Sequence, residues 1–231
     1  MVRGVSPVGM GAAADIRDIT PVQRLALSAA GARSARAELV VALDNECAHI
    51  ARSAREPMMA QIRLAWWRDG LASEEILPAH RSPMMDALRA LDDFPAAREG
   101  LIGIIDGWEE LILWDGGDRQ AMLDAYAAGR GEGLFLAIAP EQADAARPWG
   151  RLWALWDLAG HLEEADLAGA AVALGAAQAG AVRSAGLGAL PRMLAMLGGA
   201  ARHDLARGRG MASGLTAGLY MRLLRLQIFG R

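Results

Sequence analysis

The chain has 231 residues, of which 53% are hydrophobic and 22% charged, and its formal net charge is −3. That is long enough for a full core, far too apolar for a disordered chain, and without the basic surplus of a general nucleic-acid binder. All 24 basic residues are arginine, which excludes lysine Schiff-base chemistry and a P-loop; the single cysteine, Cys47, excludes an internal disulfide framework and a zinc ribbon.

Residues 1–17 are Gly- and Ala-rich, lack a long apolar core, and read as a disordered N-terminus. Residues 18–231 read as one all-α domain of about eight to ten helices, because alanine supplies about a fifth of the chain and proline only 9 residues. Thr20-Pro21 is an N-cap followed by proline at the first helical position, opening a helix to about Ala30. A second helix is expected from Ser34 to Arg55, with Leu39, Leu43, Cys47 and Ile50 on one face. Glu56-Pro57 opens a third, with Met58, Ile62, Ala65 and Trp66 as its stripe, stopping near Pro78. Ser82-Pro83 opens a short helix to Leu91, and another is expected from Pro95 to Trp114, before the turn Asp115-Gly116-Gly117-Asp118. Further helices are expected over Arg119–Ile138, Glu141–Glu163, Asp166–Ser184, Leu190–Arg207 and Ser213–Ile228. The window Leu167–Val182 is the most apolar, but it consists mostly of Ala and Gly and reads as a buried helix, not a membrane span. Met58, Met59, Met84 and Met85 read as core filler, and Trp149, Trp153 and Trp156 share a face as a core seam or as lining for an apolar ligand.

The most informative run is Glu56-Pro57-Met58-Met59-Ala60-Gln61-Ile62-Arg63-Leu64-Ala65-Trp66-Trp67-Arg68-Asp69. Two arginines beside two indoles within little more than a turn suit an anion or a flat ring, or else ion pairs to neighbouring helices while the indoles pack. The run resembles the squalene/phytoene synthase family, whose members carry Glu-Pro-Met, four variable residues, Arg-Leu, one variable residue and Trp-Trp-Arg-Asp. Weaker echoes are Asp106-Gly107, the run Tyr126 to Gly133, and Arg202-His203-Asp204. The resemblance implies a helical bundle of the isoprenoid synthase type with a central cavity for prenyl chains. It implies Arg63, Trp67, Arg68, Asp69 and Tyr126 as substrate-binding residues. Active members condense allylic diphosphates head to head, using Mg²⁺ held by two Asp-x-x-x-Asp clusters on facing helices.

The first cluster is eroded. Its positions, counted back from Glu56, hold Ala51 and Arg55, with Arg52 between them. A cationic face cannot hold Mg²⁺, although Arg52 and Arg55 can meet a diphosphate directly. The second cluster falls at Asp157, with His161 at i+4 and Glu164 at i+7, a weak metal triplet or a solvated polar face. Cys47 reads as a buried small apolar residue, and Gly129, Gly131 and Gly133 precede no strand–helix unit that would make them a dinucleotide loop.

Two readings follow from the resemblance. The first is a non-catalytic family member that binds a prenyl or other isoprenoid lipid, or a protein partner in assembly. The alternative is a Mg²⁺-dependent prenyltransferase acting on farnesyl or geranylgeranyl diphosphate. Mg²⁺ is the one cofactor expected, and only on the second reading. No nucleic-acid partner is expected. The expected location is cytoplasmic, with peripheral contact at the inner membrane face left open.

Overall fold

The computed structural model describes residues 19–54, 56–182, 184–212 and 216–229. The expectations for residues 1–17 and for Arg55 lie outside the described residues. Those described form eleven α-helices and no strand. In chain order they are α1 (Pro21–Leu27), α2 (Ser34–Ser53), α3 (Pro57–Ala72), α4 (Pro83–Arg89) and α5 (Phe94–Leu113). There follow α6 (Arg119–Tyr126), α7 (Gly133–Ile138), α8 (Ala143–His161), α9 (Ala165–Ala179), α10 (Arg192–Leu205) and α11 (Ala217–Phe229). A π-helical segment, Ala127–Glu132, joins α6 to α7, so one rod spans the whole stretch expected as a single helix.

Local chemistry sets the helix starts. Thr20 and Gln23 form a reciprocal capping box on α1, each side chain accepting from the other's backbone N–H. Ser82 Oγ accepts from the Met85 N–H on α4, and Asp118 accepts from Gln120 and Ala121 on α6. Pro57 sits at the first turn of α3, where a missing N–H costs nothing.

The end and the buried face of α3 both depart from expectation. The helix ends at Ala72, well before Pro78, because Ser73 turns extended and Arg89 of α4 caps the freed carbonyls. Its guanidinium donates to the carbonyls of Gly70 at 2.6 Å, Ser73 at 2.7 Å and Glu74 at 2.9 Å. The buried line is Ala60, Leu64, Trp67 and Leu71, while Met58, Met59 and Ile62 are exposed. This helix is apolar on both sides, so spacing alone does not choose its inner face. Of the four methionines expected as core filler, Met85 is fully buried and Met84 is partly buried against the core. The apolar window expected as a buried helix is α9, which buries only Leu167, Ala171, Gly175 and Ala179, one line along a surface helix. Among the described residues no helix is long and apolar enough to cross a membrane.

The centre of the molecule is the crossing of α5, the π segment and α8. Trp149, Trp153 and Trp156 of α8 are fully buried and form a seam. Trp149 lies on Gly198 of α10, Trp153 stacks obliquely on Phe135 at 6.1 Å, and Trp156 Nε1 donates to Asp204 Oδ2 at 3.2 Å. The glycines of the π segment bring backbones into contact on two sides. Gly129 and Gly133 face Gly107 and Gly100 of α5, and Gly131 faces Gly150 of α8. A Cβ on Gly150 would fall 2.2 Å from the Gly131 carbonyl oxygen.

Two alanine substitutions should therefore act with opposite sign in denaturant unfolding. Gly150→Ala forces backbones apart and is expected to cost about 1–3 kcal/mol or more. Gly169→Ala on α9 meets nothing within 4 Å and should stabilise the helix by about 0.5–1 kcal/mol.

Candidate functional site

The π segment aims Arg130 inward. Its side chain is only 3% exposed, and the Asp44 carboxylate facing it only 1%. Arg130 Nε donates to Asp44 Oδ1 at 2.7 Å and Nη2 to Asp44 Oδ2 at 2.8 Å, a two-point fork between helices α2 and the π segment. Nη1 meets Asp157 Oδ2 of α8 at 2.8 Å and donates to the Tyr126 hydroxyl at 2.6 Å. Trp108 Nε1 of α5 donates to Asp44 Oδ1 at 2.8 Å. The guanidinium carbon lies 4.7 Å from the centroid of Trp108 and 4.6 Å from that of Trp153. Each nitrogen of the cation meets a carboxylate or hydroxyl, and its faces lie against indoles.

Burial opposes the charge on Arg130, but Asp44, Tyr126 and Asp157 outweigh it and hold the guanidinium proton more tightly than usual. Burial pushes the Tyr126 phenol well above its ordinary range, with Arg130 pulling it partly back. Burial likewise raises the Cys47 thiol, reinforced by Asp44 and Glu46, so Cys47 is a packed thiol with little thiolate character, in line with its reading as a small apolar residue.

A cavity of about 250 Å³ opens beside this cluster, among Thr20, Gln23, Asn45, Arg52, Arg130, Asp157 and His161. The volume lies below the roughly 300–1,000 Å³ typical of small-molecule sites. Arg52 is exposed on its wall and has no carboxylate partner among the described residues. His161 is tied by Nδ1 to the Asp157 carbonyl oxygen at 2.8 Å; a carbonyl only accepts, so Nδ1 donates. Such a wall can bind a small polar or anionic group. It presents no nucleophile paired with a base.

Of the five residues expected to bind substrate, only Tyr126 lines the cavity; Arg63, Trp67, Arg68 and Asp69 lie elsewhere. Arg63 donates to Ser53 Oγ at 3.2 Å and pairs with Glu46 at 3.4 Å, joining α3 to α2. Arg68 pairs with Asp106 at 2.7 Å and also with Glu109, joining α3 to α5. Trp67 is buried in the core, and Asp69 is exposed. Trp66 donates to the Ala79 carbonyl at 2.8 Å and meets Trp67 edge to face. The run thus serves as a clamp of ion pairs and packed indoles.

Mg²⁺ does not fit the residues present. Asp157 is already bound to Arg130, and His161 offers a nitrogen where Mg²⁺ prefers oxygen. Glu164 is not on the same face as these two, because α8 ends at His161 and Leu162 turns extended. Among the described residues no three His, Cys, Asp or Glu side chains come together as a metal site. The residues that the sequence reading passed over are Arg130, Asp44 and Trp108. The available signal was Tyr126 and Arg130 at i, i+4 inside a run of alternating glycines.

Removing the cation should expose its role. Arg130→Met leaves Asp44 and Asp157 buried without their partner and is expected to cost about 3–5 kcal/mol in denaturant unfolding. Arg130→Lys keeps the charge but loses the fork, so its loss should be smaller and still measurable. A neutral result for Arg130→Met would remove the cluster from any structural role. No family model, curated protein or solved structure matches this chain.

Proposed function

We propose that this chain is a non-catalytic relative of the squalene/phytoene synthases, a helical binding or assembly factor that has exchanged a metal-ion site for a built-in cation. The observation carrying this reading is Arg130 lying between Asp44 and Asp157, with both carboxylates engaged by one guanidinium. A divalent cation would have to displace a side chain that is itself held by five polar and aromatic partners. The size of the cavity supports the same reading. At about 250 Å³ and with a polar wall, it suits a head-group-sized moiety better than a prenyl chain of fifteen or more carbons. Further support is the Glu56–Asp69 run, which resembles the family motif while its arginines act as clamps between helices.

Calorimetry with a non-hydrolysable farnesyl diphosphate analogue, with and without Mg²⁺, separates the two readings. The expected result is no Mg²⁺-dependent binding and no diphosphate release from farnesyl or geranylgeranyl diphosphate. Tight binding that requires Mg²⁺ would overturn the proposal and restore the prenyltransferase reading.

A further inference from the structure

The charge of this chain is unevenly distributed. Residues 192–231 hold seven arginines and one carboxylate, Asp204, a net +6, while the preceding 191 residues carry −9. Such asymmetry between parts of a chain marks a surface for a polyanion or an anionic membrane. The structure gathers four of these arginines around a groove of about 980 Å³ between α10 and α11. Its lining includes Arg202, His203, Arg207, Arg222 and Arg225 and contains no Asp or Glu. Asp204 lies close by, where it is shared by Arg209 at 3.1 Å and Arg222 at 3.3 Å and also accepts from Trp156. Arg207 and Arg225 have no carboxylate partner among the described residues.

Helix α11 carries the second feature. Leu219, Leu223 and Leu226 bury one face, leaving Met221 61% and Ile228 56% exposed on the groove side, with Tyr220 exposed at the edge. Apolar side chains held in water beside unpaired arginines match an interface with phosphate outside and hydrocarbon beneath. A nucleic acid would satisfy the arginines but not Met221 and Ile228. Burial first, and then Arg222 and Arg207, lower the affinity of the His203 ring for a proton, against the opposite pull of Asp204.

We propose that the α10–α11 face docks this chain onto the surface of an anionic bilayer, with lipid phosphates on Arg207 and Arg225 and with Met221 and Ile228 at the acyl boundary. The face shares no lining residue with the Arg130 cavity, and the inference does not depend on the function proposed above.

Cosedimentation of the full chain with vesicles tests it. Vesicles of phosphatidylcholine plus phosphatidylglycerol should pull the protein down, those of phosphatidylcholine alone should not, and added salt should weaken the binding. Arg225→Gln should lower the partition constant about fivefold, the effect of removing one charge near such a surface. Adding Met221→Ser should lower it further. Arg81→Gln, on the opposite part of the chain, removes an equal charge and should leave binding unchanged. Both arginines are exposed, and an unchanged unfolding midpoint confirms that each variant folds. Equal binding to neutral and anionic vesicles, equal loss in Arg225→Gln and Arg81→Gln, or equally tight binding to duplex DNA would each overturn the proposal.

Discussion

A buried guanidinium is tolerated only where its charge and its N–H groups are all met, since an unpaired charge in a protein interior costs several kcal/mol. Each of the three Arg130 nitrogens has such a partner: Asp44 on α2 and Asp157 on α8, both far away in sequence, and Tyr126 one turn before it. Much of the architecture follows from the need to bring these together. The chain around Arg130 must approach α5 and α8 closely enough for a side chain to reach both, and only glycine permits that approach. The alternation Gly129, Gly131, Gly133 makes sense in these terms. The outer pair touches α5, the middle one touches α8, and the wider π turn spreads them over two faces. Outside the crossing, Glu132 takes Arg147 and Arg151 of α8, which holds the segment in place from the solvent side.

The same cluster decides what the cavity beside it can do. Both aspartates at its floor are already engaged by Arg130, so a ligand meets a wall of mixed polarity rather than a pair of free carboxylates. Among the described residues, the cation on that wall without a carboxylate partner is Arg52, which stands in the segment where the family pattern leads one to expect acids. Two aspartates and two arginines balance formally at this site, where a two-carboxylate metal centre without such cations would be strongly negative.

The helices were legible because their starts are local events. Thr20-Pro21, Glu56-Pro57 and Ser82-Pro83 each place a cap and a proline within two residues, and each opens a helix where expected. Ends were less legible. The stop of α3 is set by Arg89, a residue from the next helix, and no pattern inside α3 announces it. Its inner face was not legible either, because Met58 and Ile62 follow the same spacing as Ala60 and Leu64. The candidate site was the least legible part. Arg130 and Asp44 are 86 residues apart, so neither composition nor spacing connects them. The run that drew attention, Arg63 to Asp69, is conspicuous in sequence because ion-pair clamps and packed indoles need specific residues, just as ligands do.

Holding one charge between three elements also governs how the molecule breathes. Separating α2 or α8 from the π segment strands a buried ion, so no one of them can open at the modest cost of fraying its own hydrogen bonds. Their backbone amides should exchange with solvent deuterium as one unit, at the free energy of global unfolding. Helix α11, packed by Leu219, Leu223 and Leu226 and paired to α10 through Arg222 and Asp204, makes no contact with the Arg130 cluster and is expected to open separately from it. Contacts made at the α10–α11 face therefore need not break the Arg130 cluster.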